Sequence, residues 1–196
     1  MKTGILALQG SFHEHSESLK LIDKDYIFIR SIKDLNQIDS LIFPGGESTA
    51  MMKIQENENL FLNLKELIES GIPTLGTCAG LIILSNQSVE GNRPLGVIDC
   101  LIERNGYGRQ NQSFEATVTF DNFTGEYCFI RAPKIISYGS VVEPIAFFGD
   151  EIVGIRHNNI VGLSFHPELT NDEHYINWLK VFLEKVACVE RLISQF

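Results

Sequence analysis

The chain's 196 residues, 44% hydrophobic and 21% charged, suffice for one α/β domain with a sizeable core spanning 1–196. A formal net charge of -9, from 16 Lys+Arg against 25 Asp+Glu, argues against nucleic acid as the main partner. No apolar run approaches the roughly 18 residues that cross a bilayer. Met1 to Gln9 is too short for the apolar centre of an export signal, so Cys78, Cys100, Cys128 and Cys188 are expected as reduced thiols of a cytoplasmic protein.

In chain order, Ile5 to Leu8 reads as a strand and the segment after it, to about Ile22, as a helix. Tyr26 to Ile29 and Ser40 to Phe43 are further strands, the latter ending at Pro44-Gly45-Gly46. Leu60, Leu64, Leu67 and Ile68 have helical spacing, with Gly71 and Pro73 as the stop. Thr74 to Thr77 is a short strand running into Cys78. This alternation predicts a mostly parallel central sheet with flanking helices. The second half is richer in strands: Gly96 to Glu103, Phe114 to Phe120, Tyr127 to Ile130, Val141 to Phe148, Glu151 to Arg156 and Ile160 to Ser164. Several are expected to pair antiparallel, with Gly149-Asp150 as a hairpin turn. A closing helix begins near Asp172, where Thr170 and Glu173 have capping-box spacing and Ile176, Leu179, Leu183 and Val186 mark the apolar face.

Gly76-Thr77-Cys78-Ala79-Gly80 has the strand–turn–helix context of a nucleophile elbow, with cysteine as the nucleophile. The helix start behind Cys78 favours a thiolate, and the Ala79 N–H faces a developing oxyanion. In Ser164-Phe165-His166-Pro167-Glu168, Pro167 favours an extended His166, which sets His166 and Glu168 side by side. One imidazole nitrogen then meets the carboxylate and the other stays free for the Cys78 proton. A small buried cysteine and a solvated strand end are the bland alternatives, each less compelling once the two motifs are taken together. Pro44 to Thr49 follows a strand; its glycines offer backbone N–H groups to an anionic oxygen, and Ser48 or Thr49 suits a helix cap. His13, Glu14 and His15 lack a partner motif for a metal, so no metal is expected. His157 and His174 are expected to be solvated or hydrogen-bonded, and Cys100, Cys128 and Cys188 to be packed, inert thiols.

Across nearly its whole length the chain resembles class I, triad-type glutamine amidotransferases, whose fold is flavodoxin-like. More narrowly it is similar to the glutaminase subunits of pyridoxal 5'-phosphate synthase. The residues that carry the resemblance are Leu6 to Gly10, Pro44 to Thr49, Gly76 to Gly80, Glu103 to Gln110, Phe129 to Pro133 and Phe165 to Leu169. It implies Cys78, His166 and Glu168 as the triad, Gly45, Gly46 and Ala79 around the oxyanion, and Gly46, Glu47, Ser48, Arg104, Ile130 and Arg131 against glutamine. A guanidinium can take an α-carboxylate through two parallel hydrogen bonds, and both Arg104 and Arg131 remain candidates. Tyr107 stands where such sequences often carry Phe, with a hydroxyl of unassigned role.

The chemistry implied is glutamine hydrolysis to glutamate and ammonia without a cofactor. The resemblance implies ammonia delivery to a barrel-fold synthase subunit, which joins it to ribose 5-phosphate and glyceraldehyde 3-phosphate, in a dodecamer of heterodimers. Three alternatives stand beside it. One is a glutaminase for another acceptor, such as imidazole glycerol phosphate synthase. The others are a stand-alone cysteine hydrolase and a catalytically silent binding module.

Overall fold

The computed structural model describes residues 2–36, 38–53, 58–89, 95–107 and 113–193. Along β1 (Lys2–Leu6) and β3 (Ile38–Phe43), successive apolar side chains enter opposite cores: Ile5 and Ile42 into one, Leu6 and Leu41 into the other. That double burial is what a parallel strand covered on both faces requires. β2 (Tyr26–Ile29) and β4 (Thr74–Thr77) complete the parallel half, together with β12 (Ile160–Leu163) beside β4. One cover is α1 (Phe12–Leu21); the other includes α2 (Ser48–Lys53), α3 (Glu58–Glu69) and the six-residue α4 (Ala79–Leu84).

The second half contributes β7 (Phe114–Phe120), β8 (Phe123–Phe129), β10 (Glu143–Phe148) and β11 (Glu151–His157), all antiparallel. The order is β2-β1-β3-β4-β12-β11-β10-β7-β8. A smaller sheet of β5 (Ser85–Ser88), β6 (Ile98–Glu103) and β9 (Lys134–Tyr138) is not hydrogen-bonded to it but shares one of its cores through Ile98, Ile102 and Ile135. The mixed α/β class expected from the sequence is therefore present, and Gly149-Asp150 turns between paired Phe148 and Glu151.

Several local expectations are corrected. β8 starts four residues before Tyr127 because its exposed end alternates with Thr124 and Glu126, which leaves a weak apolar signal. β5 and β9 were not anticipated. The capping box at Thr170 does not form: the Thr170 hydroxyl donates to the Pro167 carbonyl, while Asp172 receives the His174 N–H and caps α5 (Glu173–Ile193). The face of α5 that packs inward carries Tyr175, Leu179, Phe182 and Leu183, with Ile176 partly buried. Gly108, Arg109 and Gln110, and the side chains of Val186 and Cys188, lie outside the described residues. Among the described residues no helix is long and apolar enough to cross a membrane.

Candidate active site

The register of β4 against β12 pairs Thr77 with Leu163, so the residues that follow both strands emerge at one edge of the sheet. Cys78 follows Thr77, and its N–H donates to the Leu163 carbonyl at 2.8 Å. The chain must turn from strand to helix within one residue there, and Cys78 takes φ 50°, ψ -104°. A side chain rarely adopts that conformation, and the flanking glycines make it possible. A Cβ at Gly80 would lie 2.0 Å from the Phe43 carbonyl oxygen, and one at Gly76 would lie 2.8 Å from the Gly80 backbone. With only six residues, α4 gives the sulfur less dipole support than the sequence led us to expect.

His166 follows β12 by three residues. Its N–H donates to the Cys128 carbonyl at 2.9 Å, which ties the end of this segment to β8. The extended arrangement expected for His166-Pro167-Glu168 is not what forms: Pro167 opens a single 3-10 turn, Pro167–Leu169. Proline is well suited to the first position of such a turn. The turn still brings the two side chains together, with His166 Nδ1 2.7 Å from Glu168 Oε1. The ring is packed against Gly45, where a Cβ would sit 2.2 Å from its Cε1. Here glycine is required by space.

A cavity of about 150 Å³ is lined by Cys78, His166, Gly45, Gly46, Glu47, Ser48, Arg104, Ile130 and Arg131, and also by Ser11, Ile82 and Asn105. Glu168 is fully buried behind His166, and Ala79 is buried beside the elbow. In the resting site the Cys78 thiol donates to the Ile130 carbonyl at 3.6 Å. Neither Ser48 nor Thr49 caps α2; the Glu47 carboxylate takes the Thr49 N–H at 3.2 Å. The same carboxylate oxygen meets Arg104 at 2.6 Å, and Arg104 also donates to the Thr49 hydroxyl at 2.7 Å. Ser48 is left with a buried hydroxyl that has no partner among the described residues, at the wall of the cavity. Arg131 is exposed and held at φ 47°. The Tyr107 hydroxyl donates to Glu151 at 2.9 Å, and its ring packs on Phe114 and Phe129, which anchors the loop carrying Arg104.

Burial alone would lower the His166 pKa, but the Glu168 carboxylate and the Cys78 sulfur raise it well above the ordinary histidine value. Burial would likewise raise Glu168, yet His15 and His166 hold it below the usual carboxylate range. An ionised Glu168 therefore stabilises the fold fully above its unfolded value near 4.5, and that contribution is lost as pH falls through the lower folded value. The melting-temperature gap between this chain and Glu168→Gln is expected to be widest near neutrality and to close under acid; calorimetry across pH measures it.

Of the other thiols, Cys100 is pushed up to about 12 by burial, with Asp99 adding to the effect. Cys128 is not the packed thiol expected: it is half-buried and donates to Glu115 at 3.6 Å, and burial and that carboxylate raise its pKa. A glutamine-like electrophile is expected to label Cys78 ahead of Cys100, Cys128 and Cys188. Peptide mapping that finds most label elsewhere overturns this. His157 is hydrogen-bonded to the Val97 carbonyl at 3.2 Å, and His174 stacks on Phe123.

Sequence reasoning missed Ser11 and His15. Ser11 donates to Glu168 Oε1 at 2.8 Å, and His15 Nε2 lies 3.0 Å from the Thr77 hydroxyl. Their four-residue spacing at the start of a helix was the available signal, because it sets both on one face.

Residues 5–188 match the model of the SNO glutamine amidotransferase family. The pyridoxal 5'-phosphate synthase subunit PdxT of Thermosipho africanus is 44% identical over 187 residues, covering 92% of this chain and 100% of that protein. The protein of the same name from Pyrococcus furiosus is 42% identical over 200 residues, covering 95% and 100%. A crystal structure of a glutamine amidotransferase superposes with a TM-score of 0.87 at 37% identity, covering 94% of this chain and 98% of that one. A glutamine amidotransferase from Thermotoga maritima shares the fold, with a TM-score of 0.62 at 15% identity over 98% of this chain and 86% of that one. The chain belongs to the SNO glutamine amidotransferase family.

Proposed function

We propose that this chain, as a single domain, hydrolyses L-glutamine to L-glutamate and ammonia through Cys78, His166 and Glu168, and supplies the ammonia to a synthase subunit that makes pyridoxal 5'-phosphate. The observation that carries the reading is the His166–Glu168 pair at 2.7 Å, whose ring faces the same cavity as Cys78 at its strained elbow. The Cys78 sulfur attacks the side-chain amide carbon of glutamine. Backbone N–H groups of the Gly45-Gly46 segment and Ala79 stabilise the oxyanion. His166, carrying the thiol proton, gives it to departing ammonia as the tetrahedral intermediate collapses to a γ-glutamyl thioester. Water, deprotonated by the same ring, then cleaves the thioester and restores the thiol. Every proton in this cycle moves through His166, and the hydrolysis uses only side chains, backbone and water.

Arg104 and Glu47 face the cavity as a matched pair for the α-carboxylate and α-ammonium of an amino acid. Gly46, Ser48, the Ile130 backbone and Arg131 complete the proposed glutamine site. The test is ammonia release from glutamine, with and without the synthase subunit. Absence of release in both conditions overturns the reading. The proposed assembly is a cytoplasmic dodecamer of heterodimers, measured as the mass of the mixed subunits by light scattering.

His166→Asn is expected to lose most activity and Glu168→Gln less. The imidazole makes and breaks the covalent intermediate, whereas the carboxylate orients it and stabilises its charge. Steady-state rates of the two variants at equal stability measure this, and a slower Glu168→Gln would reverse the roles.

A further inference from the structure

His15 is fully buried on α1, as is Glu168. Its Nε2 lies 3.0 Å from Thr77 Oγ1 and 3.6 Å from Glu168 Oε1, while its Nδ1 has no partner among the described residues. Those contacts decide its state. With the proton on Nδ1, a buried N–H would have no acceptor, and the Nε2 lone pair would face a carboxylate. An imidazolium would strand the same Nδ1–H in the core. With the proton on Nε2 alone, the N–H donates to Thr77, its positive end faces Glu168, and Nδ1 is left as a bare acceptor. An unmet acceptor is the least costly of these outcomes. The groups that act on the ring are Glu168, His166 and Glu14.

We propose that His15, in its neutral Nε2–H form, is a positioning residue for the triad, joining the residue before the nucleophile to the carboxylate behind the base. Glu168 Oε1 receives His166 Nδ1 at 2.7 Å and the Ser11 hydroxyl at 2.8 Å, and His15 Nε2 adds an electrostatic contact at 3.6 Å. Glu168 Oε2 has no partner among the described residues. The carboxylate is thus held through one oxygen, by Ser11 at the start of α1, by His15 within α1 and by His166. Because the Thr77 hydroxyl shares the same N–H, the strand end that carries Cys78 and the turn that carries Glu168 are fixed to each other.

The proposal rests on the triad assigned above, and its test separates the two. In the full chain with its synthase subunit, His15→Leu is expected to lower kcat about 10-fold with KM within about twofold, since only orientation of the base is lost. His15→Gln places an amide N–H near the position of Nε2 and is expected to recover most of that loss. Full kcat in a folded His15→Leu, or no recovery in His15→Gln, overturns the proposal. Nitrogen-15 histidine spectra of the unsubstituted chain give a reading that does not depend on either variant folding. A neutral Nε2–H ring from pH 6 to pH 8 is the expected state, and an Nδ1–H or doubly protonated ring overturns it. Turnover by Cys78→Ala would refute the triad and leave the spectral result standing by itself.

Discussion

Cys78→Ala is expected to reduce glutamine turnover by about 10⁴-fold or more, with the fold intact. Among the described residues no second nucleophile lines the cavity in a comparable setting: Ser11 already donates to Glu168, and the Ser48 hydroxyl has no hydrogen-bond partner there. Ala keeps the strained φ of 50°, so the backbone cost of the elbow stays in that variant. Cys78→Gly relieves it and is expected to melt above Cys78→Ala, a gap of about 1 kcal/mol. Ammonia release and calorimetry on both variants measure the two effects. Normal turnover by a folded Cys78→Ala chain would end the proposed mechanism.

The second large effect concerns the partner. The isolated chain is expected to be a poor glutaminase, and docking of the synthase subunit to raise turnover roughly 100- to 1,000-fold, the effect of supplying one oxyanion donor. The Gly45 carbonyl accepts the Ser11 N–H at 3.0 Å, and a Cβ at Gly10 would lie 1.8 Å from that oxygen. With no cis peptides in the described chain, the Gly46 N–H points away from Ser11. Turning that peptide requires the Ser11 contact to break. Gln9 is exposed, and its side-chain oxygen receives the Glu47 N–H at 2.7 Å. It therefore links the surface to the oxyanion segment, and Gln9→Ala is expected to blunt the activation. Equal turnover with and without partner would exclude a gate; unchanged activation in Gln9→Ala would exclude this side chain as the relay.

The parts of the site legible in the sequence were those written in short contiguous runs. Gly76 to Gly80 and His166 to Glu168 carry their chemistry within five residues or fewer, and strands such as Ile160 to Leu163 are apolar enough to stand out. What escaped depends on packing between distant segments. Glu47 rather than Ser48 or Thr49 caps α2, because its carboxylate is shared with Arg104. β9 is half exposed and follows Pro133, so neither period nor composition marks it. His15 looks like part of a surface His-Glu-His run, and only the docking of α1 against β4 and the Pro167 turn reveals it as buried.

The pairing of β4 with β12 also sets when the site can exist. Thr77 waits for Leu163, and contacts between such distant segments close late because loop entropy must first be overcome. During synthesis the cysteine emerges long before its base, as one ordinary thiol among several. The reactive centre is therefore a product of nearly complete folding, and on refolding, selective labelling of Cys78 should return only with the last structural phase.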